Sequence, residues 1–169
     1  MKMLFGDKMS LKEKVQKIKL IGTDIDGVWT DGTMYYSPNG DFMKAFSTYD
    51  GMAVQIIKDA GIDIVIMTGE NSEMVKKRAE KLNIDKVYLG EKEKLKRLKY
   101  ICSRFEYELD EVAYIGDDIN DFEVLENVGF SAMPSSSPVL DKFSPDIITK
   151  RGGGEGAFRE FVEVILSHR

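Results

Sequence analysis

The chain has 169 residues, of which 43% are hydrophobic, and this length and composition predict a single compact domain, residues 1–169, with a substantial core. The net charge of −5 argues against nucleic acid as a partner, while the single cysteine and single histidine exclude an internal disulfide and argue against a histidine-based triad. Residues 1–10 lack the apolar segment of a secretion signal and no run approaches 18 apolar residues, so we expect a cytoplasmic protein with no membrane span.

Strands and helices alternate along the sequence. Predicted helices cover 10–17, 50–60, 71–82, 91–105, 120–126 and 156–167, and predicted strands cover 18–24, 63–67, 86–89, 111–115, 129–132 and 146–149. Ser10 and Glu13 form a capping-box pattern at the start of the first helix. The alternation predicts an α/β fold with a doubly wound parallel sheet. In such sheets ligands bind beyond the carboxyl ends of the strands, where residues distant in sequence meet.

A β-hairpin is predicted between the first strand and the helix at 50–60. Asn39-Gly40 separates two β-rich runs, 33–36 and 42–46, and this dipeptide is typical of a hairpin turn. The segment is too short to fold as a cap domain over the site. Its apolar side chains face both ways, so it packs either on its own domain or on a neighbouring subunit; they are Met34, Tyr35, Tyr36, Phe42 and Phe46.

Asp24 and Asp26 lie one residue apart at the end of the first strand. Two carboxylates about 4 Å apart repel by roughly 4 kcal/mol at an effective dielectric of 20, which indicates a bound cation or two acids with different tasks. Asp24 can attack phosphorus as a nucleophile. Asp26 can protonate the leaving oxygen and then deprotonate a water. Gly27 gives the backbone room to turn, which can aim Asp26 at the leaving oxygen. The alternative is that both residues only cap a loop.

A magnesium site is predicted from a second acidic segment, 117–121. We expect Asp117 to bind Mg²⁺ together with Asp24 and a backbone carbonyl near Asp26, because Mg²⁺ prefers oxygen ligands. Asp118 and Asp121 are either further ligands or side chains that hold the ligands in place. Helix capping is the alternative for this segment.

Thr68-Gly69 and Lys94 complete the predicted catalytic set. Thr68 follows the strand at 63–67, where its hydroxyl can donate to a phosphoryl oxygen near a helix N-terminus; helix capping is the alternative. Lys94 can offset charge on the phosphoryl group. A solvated charge run at 92–99 is the alternative for Lys94, because pattern alone does not separate it from its lysine neighbours.

These motifs resemble, in order, those of the haloacid dehalogenase superfamily of phosphatases. They are Asp-x-Asp-Gly-Val at 24–28, Thr-Gly at 68–69, Lys94, and Gly-Asp-Asp-x-x-Asp at 116–121. A closer resemblance, from about residue 19 to 164, is to the 3-deoxy-D-manno-octulosonate 8-phosphate phosphatases; it is carried by segments 26–32, 50–51, 90–94, 116–121 and 153–160.

The resemblance implies a capless, Mg²⁺-dependent enzyme that forms an aspartyl phosphate. That family hydrolyses a phosphorylated eight-carbon keto-acid sugar on the route to lipopolysaccharide. It also implies a homotetramer in which the hairpin packs on a neighbour and helps to close the neighbour's site. The chain ends soon after its last predicted helix, without the family's long C-terminal tail, so we expect a more open site.

The sequence departs from that family near the predicted substrate. Tyr49 and Glu70 stand where arginine is expected, and Trp29 stands where a smaller aliphatic residue is usual. Since arginine binds carboxylates with two hydrogen bonds, the selectivity for a sugar acid is in question, although Arg78 or Arg151 could substitute. The predicted substrate-binding residues are Gly51, Gly69, Arg78 and Arg151.

The glycine run at 152–156 has two interpretations. Its amides could bind a substrate carboxylate, or it could be a flexible connection to the last helix. It does not form a dinucleotide fingerprint, because no βαβ unit follows it.

Three other functions remain as alternatives. A nine-carbon keto-acid sugar phosphate or another small sugar phosphate could be the substrate. A catalytically silent homologue could act as a binding subunit. A signalling receiver domain fits less well, because its acidic pair precedes a separate phospho-accepting aspartate, whereas here an aspartate cluster follows Lys94.

Overall fold

The computed structural model describes residues 9–169, so the expectation about a secretion signal falls almost entirely outside the described residues. The helices are α1 (Leu11–Gln16), α2 (Thr48–Asp59), α3 (Glu73–Lys81), α4 (Lys94–Phe105), α5 (Phe122–Asn127) and α6 (Ala157–Ser167). The strands are β1 (Leu20–Thr23), β2 (Tyr35–Ser37), β3 (Gly40–Met43), β4 (Asp63–Met67), β5 (Val87–Tyr88), β6 (Val112–Ile115), β7 (Phe130–Met133) and β8 (Ile147–Ile148). None of the described helices combines the length and apolar character needed to cross a membrane.

Six strands form one parallel sheet in the order β5-β4-β1-β6-β7-β8. The chain starts in the middle at β1, builds outward through β4 and β5, and then returns to β6 on the other side of β1. The winding direction therefore reverses between β1 and β6, and a crevice opens beyond the carboxyl ends of these two strands. The predicted doubly wound α/β fold is confirmed.

The sheet is buried on both faces, which explains its nearly continuous apolar strands. Successive residues of a strand point to opposite faces: Ile21 joins the cluster that packs α2, α3 and α6, whereas Leu20 joins the cluster that packs α4 and α5. The unexpected Trp29 belongs to the first cluster. It is fully buried, stacks on Phe158 with ring centroids 4.8 Å apart, and its indole N–H donates to Thr23 Oγ1 at 3.0 Å.

The hairpin forms as predicted, but its turn is displaced by one residue. Ser37 pairs with Gly40, so Pro38 and Asn39 are the connecting residues instead of Asn39 and Gly40. Proline suits the second position of a turn and glycine the fourth, and Gly40 has a φ of +105°. Most differences at other element boundaries are one to three residues. At α4 the difference is three residues: the helix begins at Lys94 because the chain bends at residues 91–93, where the Glu93 N–H donates to Glu91 Oε1 at 2.9 Å.

Two smaller expectations agree with the structure. Ser10 caps α1, and its side chain and Glu13 form the reciprocal capping box. Between β1 and α2, and between β4 and α3, the described chain contains only the hairpin and short loops. No folded cap therefore stands over the carboxyl ends of the strands within residues 9–169.

Candidate active site

The carboxyl ends of β1, β4 and β6 converge on one cleft of about 250 Å³. The cleft lies where the winding of the sheet reverses, which is the expected ligand position in this architecture. It is strongly acidic, and its walls are formed by Asp24, Asp26, Gly27, Gly32, Thr68, Gly69, Glu70, Asp117, Asp118 and Asn120.

Asp24 is held at the floor of the cleft by strand pairing. It directly follows β1, and its backbone N–H donates to Ile115 O of β6 at 3.0 Å. Its Oδ1 accepts a hydrogen bond from the Ile25 N–H at 2.7 Å, and its Oδ2 lies 2.8 Å from Lys94 Nζ. The side chain is 6% exposed. The Ile25 N–H and the Lys94 ammonium together set the orientation of this buried carboxylate at the cleft.

Asp121 organises the other side of the site. It is fully buried, and its Oδ1 lies 2.7 Å from Lys94 Nζ and accepts from the Tyr114 hydroxyl at 2.8 Å. Its Oδ2 accepts from the backbone N–H groups of Asp117 at 3.0 Å and of the following residue at 3.4 Å. Since both oxygens are occupied, Asp121 is suited to orient Lys94 and the loop that carries Asp117.

The acidic groups share an excess of negative charge. Burial raises the pKa of Asp24 to about 7, the charge of Asp121 adds to the rise, and the Lys94 ammonium opposes it. Burial also raises the pKa of Asp117 to about 8, with Asp24 and Asp121 adding to it. For Lys94, burial lowers the pKa, but the two neighbouring carboxylates outweigh burial and raise it. A cation in the cleft would remove the cost of ionising both carboxyl groups.

The residues present fit Mg²⁺. Asp24, Asp117 and Asp121 each have a carboxylate oxygen within 4.8 Å of the others. Because both oxygens of Asp121 already accept hydrogen bonds, Asp24 and Asp117 are the candidate carboxylate ligands. A backbone carbonyl near Asp26 stays a predicted third ligand. The contact between the loop after β1 and the Asp117 carboxylate requires glycine at position 27, because a Cβ atom there would lie 1.8 Å from Asp117 Oδ2. A set of hard oxygen donors with two carboxylates is typical of a magnesium site.

Asp26 has an unpredicted partner, Lys44, which directly follows the hairpin strand β3. The Lys44 ammonium forms an ion pair with Asp26 Oδ1, and the Thr30 hydroxyl donates to the same oxygen at 3.5 Å. Nothing in the local sequence pattern distinguishes Lys44 from a surface lysine. Tyr114 was also missed, although a hydroxyl inside a predicted buried strand is a usable signal that a hydrogen-bond partner lies nearby.

Thr68 and Gly69 reach the cleft from the end of β4. Thr68 is buried, its N–H donates to Tyr88 O at 3.0 Å, and its carbonyl accepts from the Glu91 N–H at 2.9 Å. These bonds anchor the loop to β5 and to the turn before α4. The structure thus brings Asp24, Thr68, Gly69 and Asp117 to one cleft, with Lys94 directly behind Asp24.

The other predicted substrate-binding residues do not line this cleft. Gly51 faces Arg78, and a Cβ atom on Gly51 would lie 2.5 Å from Arg78 Nη2. The Arg78 guanidinium donates to Ser47 O at 3.3 Å. Arg151 is exposed, with its guanidinium carbon 5.8 Å from the centroid of the Tyr49 ring. A role for Gly51, Arg78 and Arg151 in binding substrate stays a prediction.

The glycine run braces the loop after β1, which neither interpretation of the sequence had anticipated. The Gly153 N–H donates to Ser136 Oγ at 2.9 Å and the Gly154 N–H to Val28 O at 3.1 Å. A Cβ atom on Gly153 would lie 2.0 Å from Gly27 O. These amides are therefore used within the chain, and glycine is required there for close packing.

The sequence of this chain matches one family profile and several known proteins. A profile of haloacid dehalogenase-like hydrolases matches residues 40–129. The 3-deoxy-D-manno-octulosonate 8-phosphate phosphatase of Haemophilus influenzae is 33% identical over 156 residues, covering 92% of this chain and 87% of that protein. The protein of the same name from Escherichia coli K12 is 34% identical over 154 residues, covering 90% of this chain and 81% of that protein.

The similarity extends to three dimensions. The crystal structure of the 3-deoxy-D-manno-octulosonate 8-phosphate phosphatase from Moraxella catarrhalis, in complex with magnesium ion, phosphate ion and a KDO molecule, has a TM-score of 0.89 with this chain. The two are 36% identical, and the match covers 94% of this chain and 91% of that chain. At 36% identity over most of both chains, the two proteins share sequence as well as the general fold.

Proposed function

This chain belongs to the haloacid dehalogenase-like hydrolases and, within them, to the 3-deoxy-D-manno-octulosonate 8-phosphate phosphatases, and we propose that it hydrolyses that sugar phosphate to the free sugar acid and phosphate. The reaction would serve lipopolysaccharide precursor synthesis. The observation that carries the proposal is the position of Asp24, a buried carboxylate at the floor of an acidic cleft, paired with Lys94 at 2.8 Å. A carboxylate held in this way is suited to attack phosphorus.

In the first step, an Asp24 carboxylate oxygen attacks the phosphorus atom, and the bond between phosphorus and the sugar oxygen breaks. Asp26, as general acid, gives a proton to that oxygen, so that the sugar leaves as an alcohol and the Asp26 carboxylate is left facing the Lys44 ammonium. Thr68 donates a hydrogen bond to a phosphoryl oxygen, and Lys94 offsets negative charge as the new bond forms. The product of this step is an aspartyl phosphate at Asp24.

In the second step, a water molecule attacks the phosphorus of the aspartyl phosphate. Asp26, now ionised, takes a proton from this water, and the bond between phosphorus and Asp24 breaks. Inorganic phosphate leaves, and Asp26 is again protonated. Atoms and charges are thereby restored to the starting enzyme.

Asp24, Asp117 and the backbone carbonyl of Asp26 would hold Mg²⁺, which when bound supplies positive charge against the phosphoryl oxygens. Asp121 keeps these ligands in place through its bonds to Lys94 and the backbone of Asp117. We therefore assign Asp121 to orientation of the site.

The predicted contacts to the sugar acid follow from the charge of the cleft. Gly69 lies in the wall beside Thr68 and can approach the phosphoryl end of the substrate. Glu70, in the same wall, would repel a carboxylate placed next to it. The carboxylate end of the substrate would therefore lie away from Glu70. Arg78 or Arg151 would receive it there although neither lines the cleft, and Gly51 would act through its packing against Arg78.

We further propose that the chain is one domain, residues 1–169, that works in the cytoplasm as a homotetramer. The support within this chain is the hairpin, whose aromatic side chains Tyr36 and Phe42 are 66% and 68% exposed. Large exposed apolar surfaces commonly mark protein interfaces. A hairpin placed over a neighbour's cleft would exclude water from phosphoryl transfer.

A substrate panel tests the proposed function. Phosphate release is measured with Mg²⁺ for 3-deoxy-D-manno-octulosonate 8-phosphate, a nine-carbon keto-acid sugar phosphate and several hexose phosphates. We expect kcat/KM for the octulosonate ester to exceed that for the hexose esters by at least about tenfold. A flat profile across the panel would refute this substrate assignment.

The same assay tests the nucleophile. Asp24→Asn should abolish turnover of every ester, because the amide cannot form the phosphoenzyme. Asp63→Asn is the matched control, since Asp63 also carries an ion-paired carboxylate but lies at the opposite end of the sheet, at the start of β4. Turnover by Asp24→Asn comparable to the wild type would contradict the mechanism.

A further inference from the structure

Lys44 is buried although it lies at the end of an exposed hairpin. Its side chain is 3% exposed, and its ammonium pairs with Asp26 Oδ1. Burying an ammonium group is costly unless it is paired, so the ion pair with Asp26 is what keeps Lys44 in this position. The preceding hairpin residues are mostly exposed, which makes Lys44 the point where the hairpin is anchored to the catalytic loop.

The two oxygens of Asp26 have different surroundings. Oδ1 contacts Lys44 and accepts from the Thr30 hydroxyl at 3.5 Å. Thr30 Oγ1 is itself fixed, because it accepts from the backbone N–H of Gly27 at 3.3 Å and of Gly32 at 3.2 Å. Oδ2 is buried and has no hydrogen-bond partner among residues 9–169. Asp26 lines the cleft with a side chain that is 24% exposed, so the contacts at Oδ1 fix the orientation of the carboxyl group there.

We propose that Lys44 is a positioning residue for Asp26: it holds Oδ1 and thereby fixes the orientation of the carboxyl group toward the leaving oxygen of the phosphate ester. This inference rests on the proposed function in one respect, the exchange of a proton between Asp26 and the leaving oxygen. Lys44 does not line the cleft, so its effect passes through Asp26. A misplacement of the acid by about 1 Å is enough to cost two orders of magnitude in rate.

The hairpin is thereby coupled to the chemistry. Lys44 directly follows β3, which ends at Met43, so any contact that places the hairpin also places the ammonium group. An intersubunit contact on the hairpin would in this way fix the orientation of Asp26 within the same chain.

The test uses the dependence of rate on the leaving group. Lys44→Met keeps a long apolar side chain and removes the ammonium. We expect kcat/KM for alkyl phosphates, including 3-deoxy-D-manno-octulosonate 8-phosphate, to fall about 10- to 100-fold. For p-nitrophenyl phosphate, whose leaving group departs as a stable anion without a proton, we expect a fall of less than about threefold. The ratio kcat/KM is used because it excludes the later hydrolysis of the phosphoenzyme.

Controls separate positioning from folding and from binding. Lys44→Arg retains a cation and should recover most of the alkyl phosphate activity. Lys14→Met removes another partly buried ion pair, with Asp146, and should leave the leaving-group dependence unchanged. Asp26→Asn should show the same selective loss as Lys44→Met, and more strongly. The inhibition constant of inorganic phosphate should not change in Lys44→Met.

Equal losses for alkyl and aryl phosphates in Lys44→Met would overturn the proposal, as would weaker inhibition by inorganic phosphate, which would indicate that Lys44 binds the phosphoryl group directly. A series of alkyl, phenyl and p-nitrophenyl phosphates does not depend on which sugar phosphate is preferred. The outcome for Lys44 is therefore distinguishable from failure of the proposed substrate.

Discussion

At the scale of single residues, the site is defined by an imbalance of charge. Five aspartates meet at the cleft or directly behind it, and two lysine ammonium groups face them. Burial makes this surplus expensive, which is why the pKa values of Asp24 and Asp117 rise to about 7 and about 8. Without a divalent cation, the site therefore holds protons at neutral pH.

Binding of Mg²⁺ should release these protons. Only the ionised carboxylates are good ligands, so the apparent affinity for Mg²⁺ should rise with pH and level off above about pH 9, one unit above the pKa of Asp117. We expect between one and two protons released per Mg²⁺ at pH 7 and an affinity weaker by roughly two to three orders of magnitude at pH 6 than at pH 8, because both carboxyl groups must ionise. Isothermal titration calorimetry in two buffers of different ionisation enthalpy measures the release. Binding that is independent of pH from 6 to 8 would contradict the raised pKa values.

At the scale of elements, loops place the functional groups and the sheet holds the loops. The loop after β1 is pressed between the acidic loop of Asp117 and the glycine run, and glycines make both contacts possible. A Cβ atom at Gly27 would collide with the Asp117 carboxylate, and one at Gly153 would lie 2.0 Å from Gly27 O and 2.5 Å from Thr30 O. The position of Asp26 thus depends on a segment more than 120 residues away in sequence.

Gly153→Ala tests this dependence. The added methyl group must push the two loops apart, because the atoms it meets are backbone and cannot move aside alone. We expect the free energy of unfolding to fall by about 2–3 kcal/mol and kcat to fall by at least about tenfold, measured by chemical denaturation and phosphate release.

Gly61→Ala is the control for Gly153→Ala. Gly61 follows α2 with a φ of +68°, and no atom lies within 4 Å of a Cβ atom placed there. The substitution should cost about 1–2 kcal/mol in backbone strain and leave kcat unchanged. If Gly153→Ala also kept full activity, the glycine run would have no part in placing Asp26.

At the scale of the whole molecule, the chain buries the four central strands of its sheet almost entirely but leaves its hairpin uncovered. Both faces of the parallel sheet are packed by helices, whereas Tyr36 and Phe42 stay mostly in solvent. A two-stranded hairpin has little stability of its own. In this chain its base is anchored by Lys44 and by Phe46, which packs partly against the core.

The proposed assembly predicts how hairpin variants behave. Replacing Tyr36 by Lys and Phe42 by Glu together should shift the protein from a tetramer toward smaller species in sedimentation velocity, because charge replaces the apolar contact. The thermal unfolding midpoint of the dissociated variant should stay close to that of the dissociated wild-type chain. The phosphatase activity should fall. Tyr100→Lys, an exposed aromatic side chain on α4, should leave the assembly intact. A wild-type protein that sediments as a monomer would contradict the assembly.

The order of elements and the position of the cleft were predictable because both follow from local signals. Strand and helix differ in hydrophobic period, and parallel strands place their carboxyl ends together. Asp24, Asp26, Thr68 and Asp117 could therefore be named in advance as neighbours. The hairpin turn was misplaced by one residue, because the dipeptide Asn39-Gly40 outweighed the preference of Pro38 for the second turn position.

Contacts between distant segments could not be predicted in the same way. The sequence pattern did not separate Lys94 from its lysine neighbours; burial against Asp24 and Asp121 does. Lys44 gave no signal, because its partner lies across the hairpin connection and only packing brings the ammonium to Asp26.

The amino-acid sequence by itself determined the fold class and the identity of the acidic residues at the cleft. Both depend on the hydrophobic period and on motifs at strand ends, which involve only residues close together in sequence. Only the tertiary structure decided which oxygens are occupied: Asp121 is saturated by Lys94, Tyr114 and backbone N–H groups, and Asp26 Oδ1 is held by Lys44 and Thr30. The physical reason is that a hydrogen bond forms only within a few tenths of an ångström of its ideal length, and such distances between remote segments are set by packing of the whole domain.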